Sequence, residues 1–127
     1  MSRDRRSTGK RGEDAACNYL VAKGHVILQR NWRSNHHEID IISFDGALRV
    51  VEVKTRVLPM EARPEESVRH KKQQALVSAA REYLRSEDCP PWARSAELFF
   101  DIVSVVMDGD AIVELEYIPQ AFIPMYF

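Results

Sequence analysis

The chain has 127 residues, of which 45% are hydrophobic and 29% are charged, and its formal net charge is -1. This length gives one domain with a real core and leaves little room for a second. The charge balance excludes a global basic excess of the kind that announces a nucleic-acid partner. It counts only weakly against such a partner, because an acidic site offsets basic residues elsewhere.

Targeting and redox features point to a soluble, cytoplasmic protein. The arginine-rich start lacks the apolar segment of a secretory signal, and no apolar run approaches the length needed to cross a membrane. Cys17 and Cys89 lie far apart in the sequence and in different predicted elements. Reduced thiols are therefore expected rather than a disulfide.

The first predicted elements are a helix and a strand. Residues 1–7 are expected to be a disordered basic lead-in, and residues 8–127 a single domain. The helix is predicted from about Gly9 to Lys23, with Gly24 as its C-terminal stop. The apolar segment Val26–Asn31 then predicts a strand, followed by a polar loop.

A hairpin, a long helix and a second hairpin follow. Two apolar segments on either side of the turn pair Asp45-Gly46 predict adjacent antiparallel strands, and Asp108-Gly109 marks a similar turn near the end. The predicted elements are strands Glu38–Ser43 and Ala47–Lys54, a helix Glu65–Ser86 that follows a loop with Pro59 and Pro64, and strands Leu98–Met107 and Ala111–Tyr117. The order α-β-β-β-α-β-β predicts an α/β protein.

The first hairpin brings two carboxylates and a lysine together. Side chains alternate along a strand, so Glu52 and Lys54 point to the same side while Val53 points to the other. If the strands pair through the Asp45-Gly46 turn, Asp40 converges with Glu52 at one end of the sheet. Close carboxylates repel each other, and a divalent cation relieves that repulsion. The arrangement indicates metal-assisted phosphodiester hydrolysis.

Both helices place a charge on an apolar stripe. Glu13 shares a face of the first helix with Ala16 and Leu20, and Lys72 lies on the apolar stripe of the long helix. A charge that faces a core is costly unless it has a partner. A metal and phosphate pocket at the sheet end would explain both positions.

An ordered set of motifs covers most of the chain, from about Thr8 to Tyr117. On these motifs the chain resembles the YraN family of small bacterial proteins, which looks like a branch of the PD-(D/E)XK nuclease superfamily similar to archaeal Holliday junction resolvases. The Glu-x-Lys element alone would be a weak signal, but the ordered set is specific. The matching segments are Gly12-Glu13, Arg30-Asn31-Trp32-Arg33, Glu38-Ile39-Asp40-Ile41-Ile42, Asp45-Gly46, Val51-Glu52-Val53-Lys54-Thr55-Arg56, Glu66-Ser67-Val68 and Lys72.

The resemblance implies a fold and a metal site. The fold is a restriction-endonuclease-like mixed sheet of about five strands flanked by helices. Asp40 and Glu52 would bind Mg2+, with Mn2+ as a substitute, helped by the backbone carbonyl of Val53.

The resemblance also implies catalytic and substrate-binding roles. Lys54 would orient the attacking water, Glu13 would complete the acidic cluster, and Lys72 would approach the scissile phosphate. The family usually has glycine before the Glu-Ile-Asp segment, whereas this chain has His37, preceded by His36. The two histidines suggest a transition-metal site with Glu38 or Asp40. Adjacent side chains on an extended segment point apart, however, and no third histidine has ligand spacing, so surface loop residues are expected.

The remaining basic and aromatic residues have two interpretations each. The basic residues are ordinary solvated side chains or contacts to DNA phosphates, which are independent of sequence and sensitive to salt. Trp32 is a base-stacking residue or, more often for an aromatic between strands, part of the core. Asp101 is a buried partner of a lysine or only the start of a strand. The candidate nucleic-acid-binding residues are Arg11, Arg30, Arg33, Arg56 and Lys72.

Three functional hypotheses follow. The leading one is a Mg2+-dependent endonuclease-like enzyme that hydrolyses DNA phosphodiesters, with branched or structured DNA as substrate and a homodimer as the expected assembly. The second is a non-catalytic DNA-binding or assembly module on a nuclease scaffold. The third is a protein-interaction factor whose acidic cluster is structural. The joint presence of Asp40, Glu52 and Lys54 favours the enzyme.

Overall fold

The computed structural model of the chain describes residues 5–59 and 70–124. Within these ranges the chain forms two α-helices, five strands and a short 3-10 helix over Pro91–Ala93. The helices are α1 (Arg5–Ala22) and α2 (His70–Arg85), and the strands are β1 (Val26–Arg33), β2 (Glu38–Phe44), β3 (Leu48–Val57), β4 (Leu98–Asp108) and β5 (Ala111–Phe122).

The five strands form one mixed sheet in the order β1-β2-β3-β4-β5. Neighbouring strands are antiparallel except for β3 and β4, which are parallel. Antiparallel neighbours can follow a tight turn, whereas a parallel pair needs a longer crossover, and α2 lies in that crossover. This is the predicted α-β-β-β-α-β-β order, and the architecture matches the expected restriction-endonuclease-like fold.

Several predicted boundaries are corrected. Helix α1 begins at Arg5 rather than near Gly9, so Arg5–Ser7, expected in a disordered lead-in, form its first turn. Residues 1–4, the start of the predicted long helix at 65–69 and Pro64 lie outside the described residues. Strand β5 extends beyond its predicted end at Tyr117 and includes Pro119. A register shift between β4 and β5 lets Phe122 pair with Phe100.

Two apolar clusters lie against the sheet, one with each helix. Consecutive residues of β3 divide between them: Val50 packs in the cluster that contains Leu76 and Tyr83 of α2, and Val51 packs in the cluster that contains Ala16 and Leu20 of α1. The period of two in a strand produces this division. Across residues 5–59 and 70–124, no helix is long and apolar enough to cross a membrane.

Helix α1 stops where the sequence predicts. Gly24 has φ +97, a conformation that glycine adopts without a Cβ penalty. Its N–H bonds to the carbonyl of Val21 at 3.0 Å, and the N–H of His25 bonds to that of Leu20 at 2.9 Å. This pair of bonds is the Schellman arrangement, which satisfies the last carbonyls of a helix and turns the chain into β1.

A second glycine lets α1 lie close to β3. A Cβ atom at Gly12 would overlap Oγ1 of Thr55 and would lie 3.0 Å from its Cβ. The overlap with Oγ1 does not occur between real side chains, so either α1 or Thr55 would have to move. Since Glu13 is the next residue, this contact also sets where the Glu13 carboxylate lies.

Replacing Gly12 with alanine is expected to lower the free energy of unfolding by ~1–3 kcal/mol, because the added methyl group overpacks the α1–β3 contact. Gly9→Ala is the matched control, since a Cβ there meets nothing within 4 Å. In a helix interior that change should raise stability by ~0.5–1 kcal/mol. Urea unfolding of both variants measures the difference, and equal effects would contradict the close contact.

Candidate metal and phosphate site

Asp40 and Glu52 lie where β2 and β3 stop pairing. Their ladder ends at the pair Ile41↔Val51, while β3 continues beside β4. Just past that end, Oδ2 of Asp40 accepts a 2.8 Å hydrogen bond from the backbone N–H of Val53. The side chain therefore satisfies a main-chain donor of β3 beyond the last pair of this ladder. The two carboxylates come together at one end of the hairpin, as its register predicts.

The two carboxylates interact strongly. Burial, followed by the charge of Asp40, raises the pKa of Glu52 to about 7, against the lowering effects of Lys72 and Lys54. Burial also raises the pKa of Asp40, and the hydrogen bond from Val53 opposes that rise. A partly buried pair of this kind favours a shared proton or a bound cation.

Two lysines approach the pair from different elements. Nζ of Lys72, at the start of α2, lies 3.7 Å from Oε1 of Glu52, and the side chains are 48% and 16% exposed. Lys54 follows Glu52 by two residues on β3, and its charge lowers the pKa of that carboxyl. Lys72 remains half exposed, so its ammonium can also face a ligand that enters from solvent.

Glu13 joins the cluster from α1. Burial, then the charge of Asp40, raises the pKa of Glu13, and Arg30 opposes the rise. Its Oε1 is buried and has no hydrogen-bond partner among the residues that the structure describes. Buried polar atoms in native proteins almost always have a partner, so an unpaired carboxylate oxygen indicates an incomplete site.

Asn31 is a site residue for which no role was predicted from the sequence. The pairs Arg30↔Ile41 and Trp32↔Ile39 place Asn31 opposite Asp40. Its φ of 52 is left-handed, which is rare within a strand and better tolerated by asparagine than by most residues. Its side chain hydrogen-bonds to Glu13 and lowers the pKa of that carboxyl. The only available signal was its position inside the Arg-Asn-Trp-Arg segment.

The four arginines predicted to bind phosphates each have a partner within the chain. Arg30 donates to Oδ1 of Asp14 at 2.7 Å, and an Arg33 nitrogen lies 3.7 Å from Oε2 of Glu38. The other two bond to main-chain oxygens: Arg11 to Asp110 and Arg56 to Thr55. All four arginines are exposed, so these contacts are weak and can be exchanged for others. A role in binding nucleic acid stays a prediction.

Comparisons with known proteins identify the family. The model described as "Uncharacterised protein family UPF0102" matches residues 12–105. A UPF0102 protein of Chlorobium limicola is 39% identical over 96% of this chain and 96% of its own. Another, from Chlorobaculum tepidum, is 42% identical over 90% of both chains, and one from Nitratidesulfovibrio vulgaris is 41% identical over 93% of this chain and 85% of its own.

The chain belongs to the UPF0102 family. This assignment confirms the YraN resemblance, and the matched region contains the whole candidate cluster from Glu13 to Lys72. The names of these UPF0102 relatives state a family and no activity. The chemistry of the site therefore has to be inferred from its own residues.

Two ambiguous residues of this UPF0102 chain have structural roles. Trp32 is 8% exposed, packs edge-on against Tyr83 and donates its indole N–H to Asp88, which confirms the core interpretation. Asp101 is buried with Arg49 rather than with a lysine, and it accepts a 2.6 Å bond from the hydroxyl of Tyr117. Neither is available to bind a substrate.

A Ser-His-Asp arrangement lies at the turn between β2 and β3. Nδ1 of His25 is 2.9 Å from Oγ of Ser43, and its Nε2 is 3.5 Å from Oδ2 of Asp45. The geometry resembles a nucleophilic triad, but Ser43 is 0% exposed. Because no substrate can reach this hydroxyl, nucleophilic catalysis by Ser43 is excluded. The three residues stabilise the turn instead.

The donors at the β2–β3 end fit a hard divalent cation. Carboxylate and carbonyl oxygens are the ligands that Mg2+ prefers, and Mg2+ commonly takes only one or two carboxylates with water and substrate phosphates. Among residues 5–59 and 70–124, no three His, Cys, Asp or Glu side chains are placed as a ready-made metal site. Asp40, Glu52 and the Val53 carbonyl therefore suit a Mg2+ that keeps part of its water, with Glu13 further out.

Glu52→Gln is expected to stabilise the metal-free UPF0102 protein above pH 7. The folded-state pKa of about 7 exceeds the ordinary value of 4.5, so the folded chain binds the proton more tightly. Wild-type stability should therefore fall as pH rises from about 4.5 to about 7. In EDTA at pH 8 the variant should gain ~1–3 kcal/mol, and the gain should shrink at pH 5.

Urea unfolding at both pH values measures this effect. Glu87→Gln, in an exposed turn, is the control and should show no such pH-dependent difference. A Glu52→Gln variant that is equally destabilised at pH 5 and pH 8 would contradict repulsion between the carboxylates.

Asn31→Gly tests the contact to Glu13. Glycine keeps the left-handed backbone without strain but removes the side-chain amide. The pKa of Glu13 should rise further, because the hydrogen bond that lowers it is lost. A carboxyl 13C NMR titration of both proteins measures the change, and an unaltered Glu13 titration would mean that Asn31 does not hold it.

Proposed function

We propose that this UPF0102 protein is a Mg2+-dependent nuclease that hydrolyses DNA phosphodiesters. The observation that carries the proposal is the partly buried carboxylate pair Asp40 and Glu52, with the pKa of Glu52 raised to about 7 and Lys72 at 3.7 Å. A site that concentrates negative charge away from water is costly for folding alone. The cost is understandable if the site binds a cation during function.

The metal ligands in this proposal are Asp40, Glu52 and the carbonyl of Val53. A bound Mg2+ would polarise the phosphate and lower the pKa of a coordinated water. Asp40 is fixed by its bond from the Val53 N–H, so its other oxygen can be directed at the cation. Proton loss from Glu52 and cation binding favour each other, because both depend on the same carboxylate charge.

The lysines and Glu13 complete the chemistry. Lys54 would hold the attacking water and steady the developing negative charge. Lys72 would exchange its contact with Glu52 for a phosphate oxygen when substrate enters. The unpaired Oε1 of Glu13 would accept a hydrogen bond from a water at the site.

DNA is the proposed substrate because basic residues lie near the acidic cluster. The charges of Arg30, Lys54 and Lys72 each act on Glu13 or Glu52 strongly enough to lower a carboxyl pKa. Contacts of this kind to phosphates give binding that is independent of sequence and falls with salt. Branched or structured DNA, and a homodimer that would place two such sites on one junction, extend the proposal from the family resemblance.

Mg2+ or Mn2+ binding, measured by calorimetry, is the first test. Asp40→Asn should abolish binding, since it removes a ligand charge at the β2–β3 end. Cleavage of branched, single-stranded and duplex DNA should fall by at least ~100-fold in Asp40→Asn and in Lys54→Ala, because each loses a group that stabilises the transition state. Glu87→Gln removes a carboxylate in an exposed turn and should leave both activities unchanged.

The outcomes separate the proposal from its alternatives. Cleavage that survives Asp40→Asn or Lys54→Ala comes from a contaminating nuclease. Salt-dependent DNA binding that needs neither residue, without turnover in any metal, identifies a non-catalytic DNA-binding module. A wild-type protein that binds neither metal nor DNA overturns the proposal and favours a protein-interaction role.

A further inference from the structure

A polar pocket of about 280 Å3 lies beside the carboxylate cluster. It is lined by residues 33–38, the loop between β1 and β2 and the strand ends on either side. The loop is closed by a 2.9 Å bond from the N–H of Ser34 to the carbonyl of His37. The nuclease mechanism proposed above uses no residue of this pocket except Arg33 as a candidate DNA contact.

The pocket and the carboxylate cluster share Glu38. This residue lines the pocket, and its charge raises the pKa of both Asp40 and Glu13. Glu38 and Asp40 are two residues apart on one strand, which is ~7 Å. A ligand in the pocket would therefore lie next to a phosphate held at Asp40 and Glu52.

The pocket contains a buried hydroxyl without a partner. Oγ of Ser34 and Oε1 of Glu13 are the buried side-chain oxygens that lack a hydrogen bond within the described ranges. One belongs to the pocket and the other to the carboxylate cluster that adjoins it. Since buried polar groups are normally satisfied, the Ser34 hydroxyl is expected to gain a partner when the pocket is occupied. Ser34 as a whole is half-buried and lines the pocket, so a rotation of its side chain can present the hydroxyl to a ligand.

The chemistry of the lining favours a nucleobase over an ion. A free phosphate would meet Glu38, whose carboxylate already lies 3.7 Å from the guanidinium of Arg33. The potential metal ligands of the pocket lining, His36, His37 and Glu38, are not grouped as a metal site. An amide, a hydroxyl and two imidazoles can hydrogen-bond to a base edge and stack on its face, and histidine and arginine are both used for such stacking.

The size of the pocket fits a single base. Pockets that enclose drug-sized ligands span roughly 300–1,000 Å3, so this one lies just below that range. A paired base cannot enter such a pocket without leaving the stack of the duplex. The geometry therefore selects DNA in which a nucleotide near the scissile phosphate is already unpaired.

We propose that the pocket formed by residues 33–38 binds one unpaired nucleobase next to the phosphate held at Asp40 and Glu52. This inference rests on the proposed nuclease function and narrows its substrate to DNA with an unpaired nucleotide beside the cut. Ser34 and Asn35 contact the base edge, and one of the two imidazoles, of His36 or of His37, stacks on the face of the base.

The test compares two duplexes that differ at a single-nucleotide bulge. One carries an adenine in the bulge and the other an abasic tetrahydrofuran unit, and fluorescence anisotropy in EDTA measures the affinity of the full chain without cleavage. Wild type should bind the adenine bulge about fivefold or more tightly, as expected for one stacked base. The double variant Ser34→Ala/Asn35→Ala should bind both duplexes equally.

Matched controls and a folding check make the result specific. Asn18→Ala/Ser95→Ala changes the same residue types at exposed positions outside the pocket and should keep the preference. Neither pocket substitution removes the backbone bond between Ser34 and His37, and circular dichroism checks that each variant is folded.

Equal binding of the two duplexes by wild type would overturn the pocket inference, whether or not the protein cleaves DNA. A preference that survives Ser34→Ala/Asn35→Ala would overturn it as well, because the base would then be bound elsewhere. A wild-type preference that these substitutions abolish, in a protein without metal-dependent cleavage, would support the pocket and overturn the nuclease proposal. No binding to either duplex would overturn the pocket inference, whereas the nuclease proposal, whose metal is removed by EDTA, is decided by the cleavage assay.

Discussion

The hydrogen bond between Asp40 and the Val53 N–H is the interaction on which the site depends. In a regular antiparallel hairpin, backbone hydrogen bonds between the two strands would continue to the end of the pair. Here the β2–β3 ladder ends at Ile41↔Val51, and a carboxylate takes over a main-chain donor. That exchange keeps a backbone N–H satisfied and holds an acidic side chain against the neighbouring strand.

The electrostatics of the site follow from that placement. Once Asp40 is fixed beside Glu52, burial and like charge act on both carboxyl groups, and the protein offsets this in part with Lys72. The Lys72 side chain is half exposed at the surface, so it stabilises the charge of Glu52 only weakly and can move. Asp101, in the core, is in the opposite situation. It is wholly buried, and it is bonded to Arg49, Tyr117 and the Gln120 N–H. Asp101 is fully satisfied and structural, while the repulsion between Asp40 and Glu52 is only partly offset and leaves the pair open to a ligand.

Sequence reasoning succeeded where the relevant information is local. Asp45-Gly46 marks a hairpin, and alternation along the strand then places Asp40 and Glu52 together with little further input. The apolar stripes of the helices were enough to place Glu13 and Lys72 toward the sheet.

Other features depend on contacts between distant segments, and the sequence could not supply them. The left-handed backbone of Asn31 is set by its neighbours in β1 and β2, since asparagine only tolerates that conformation and does not require it. In the sequence, nothing distinguishes Arg49 from a solvent-exposed lysine. Only the register of β3 with β4 brings its guanidinium next to Asp101. The pocket at residues 33–38 arises from the shape of a loop, for which no periodic pattern exists.

The parallel pairing of β3 with β4 has a consequence for the order of folding. Leu48 pairs with Leu98, fifty residues later, whereas Ile42 pairs with Val50 in the same hairpin. Closing a long loop is entropically slower than closing a short one. The acidic hairpin is therefore expected to form early, with its carboxylates still in water, where like charges cost little. Their mutual repulsion develops only as β4 and the helices arrive and exclude solvent, so a divalent cation bound there as proposed would slow unfolding more than it speeds folding.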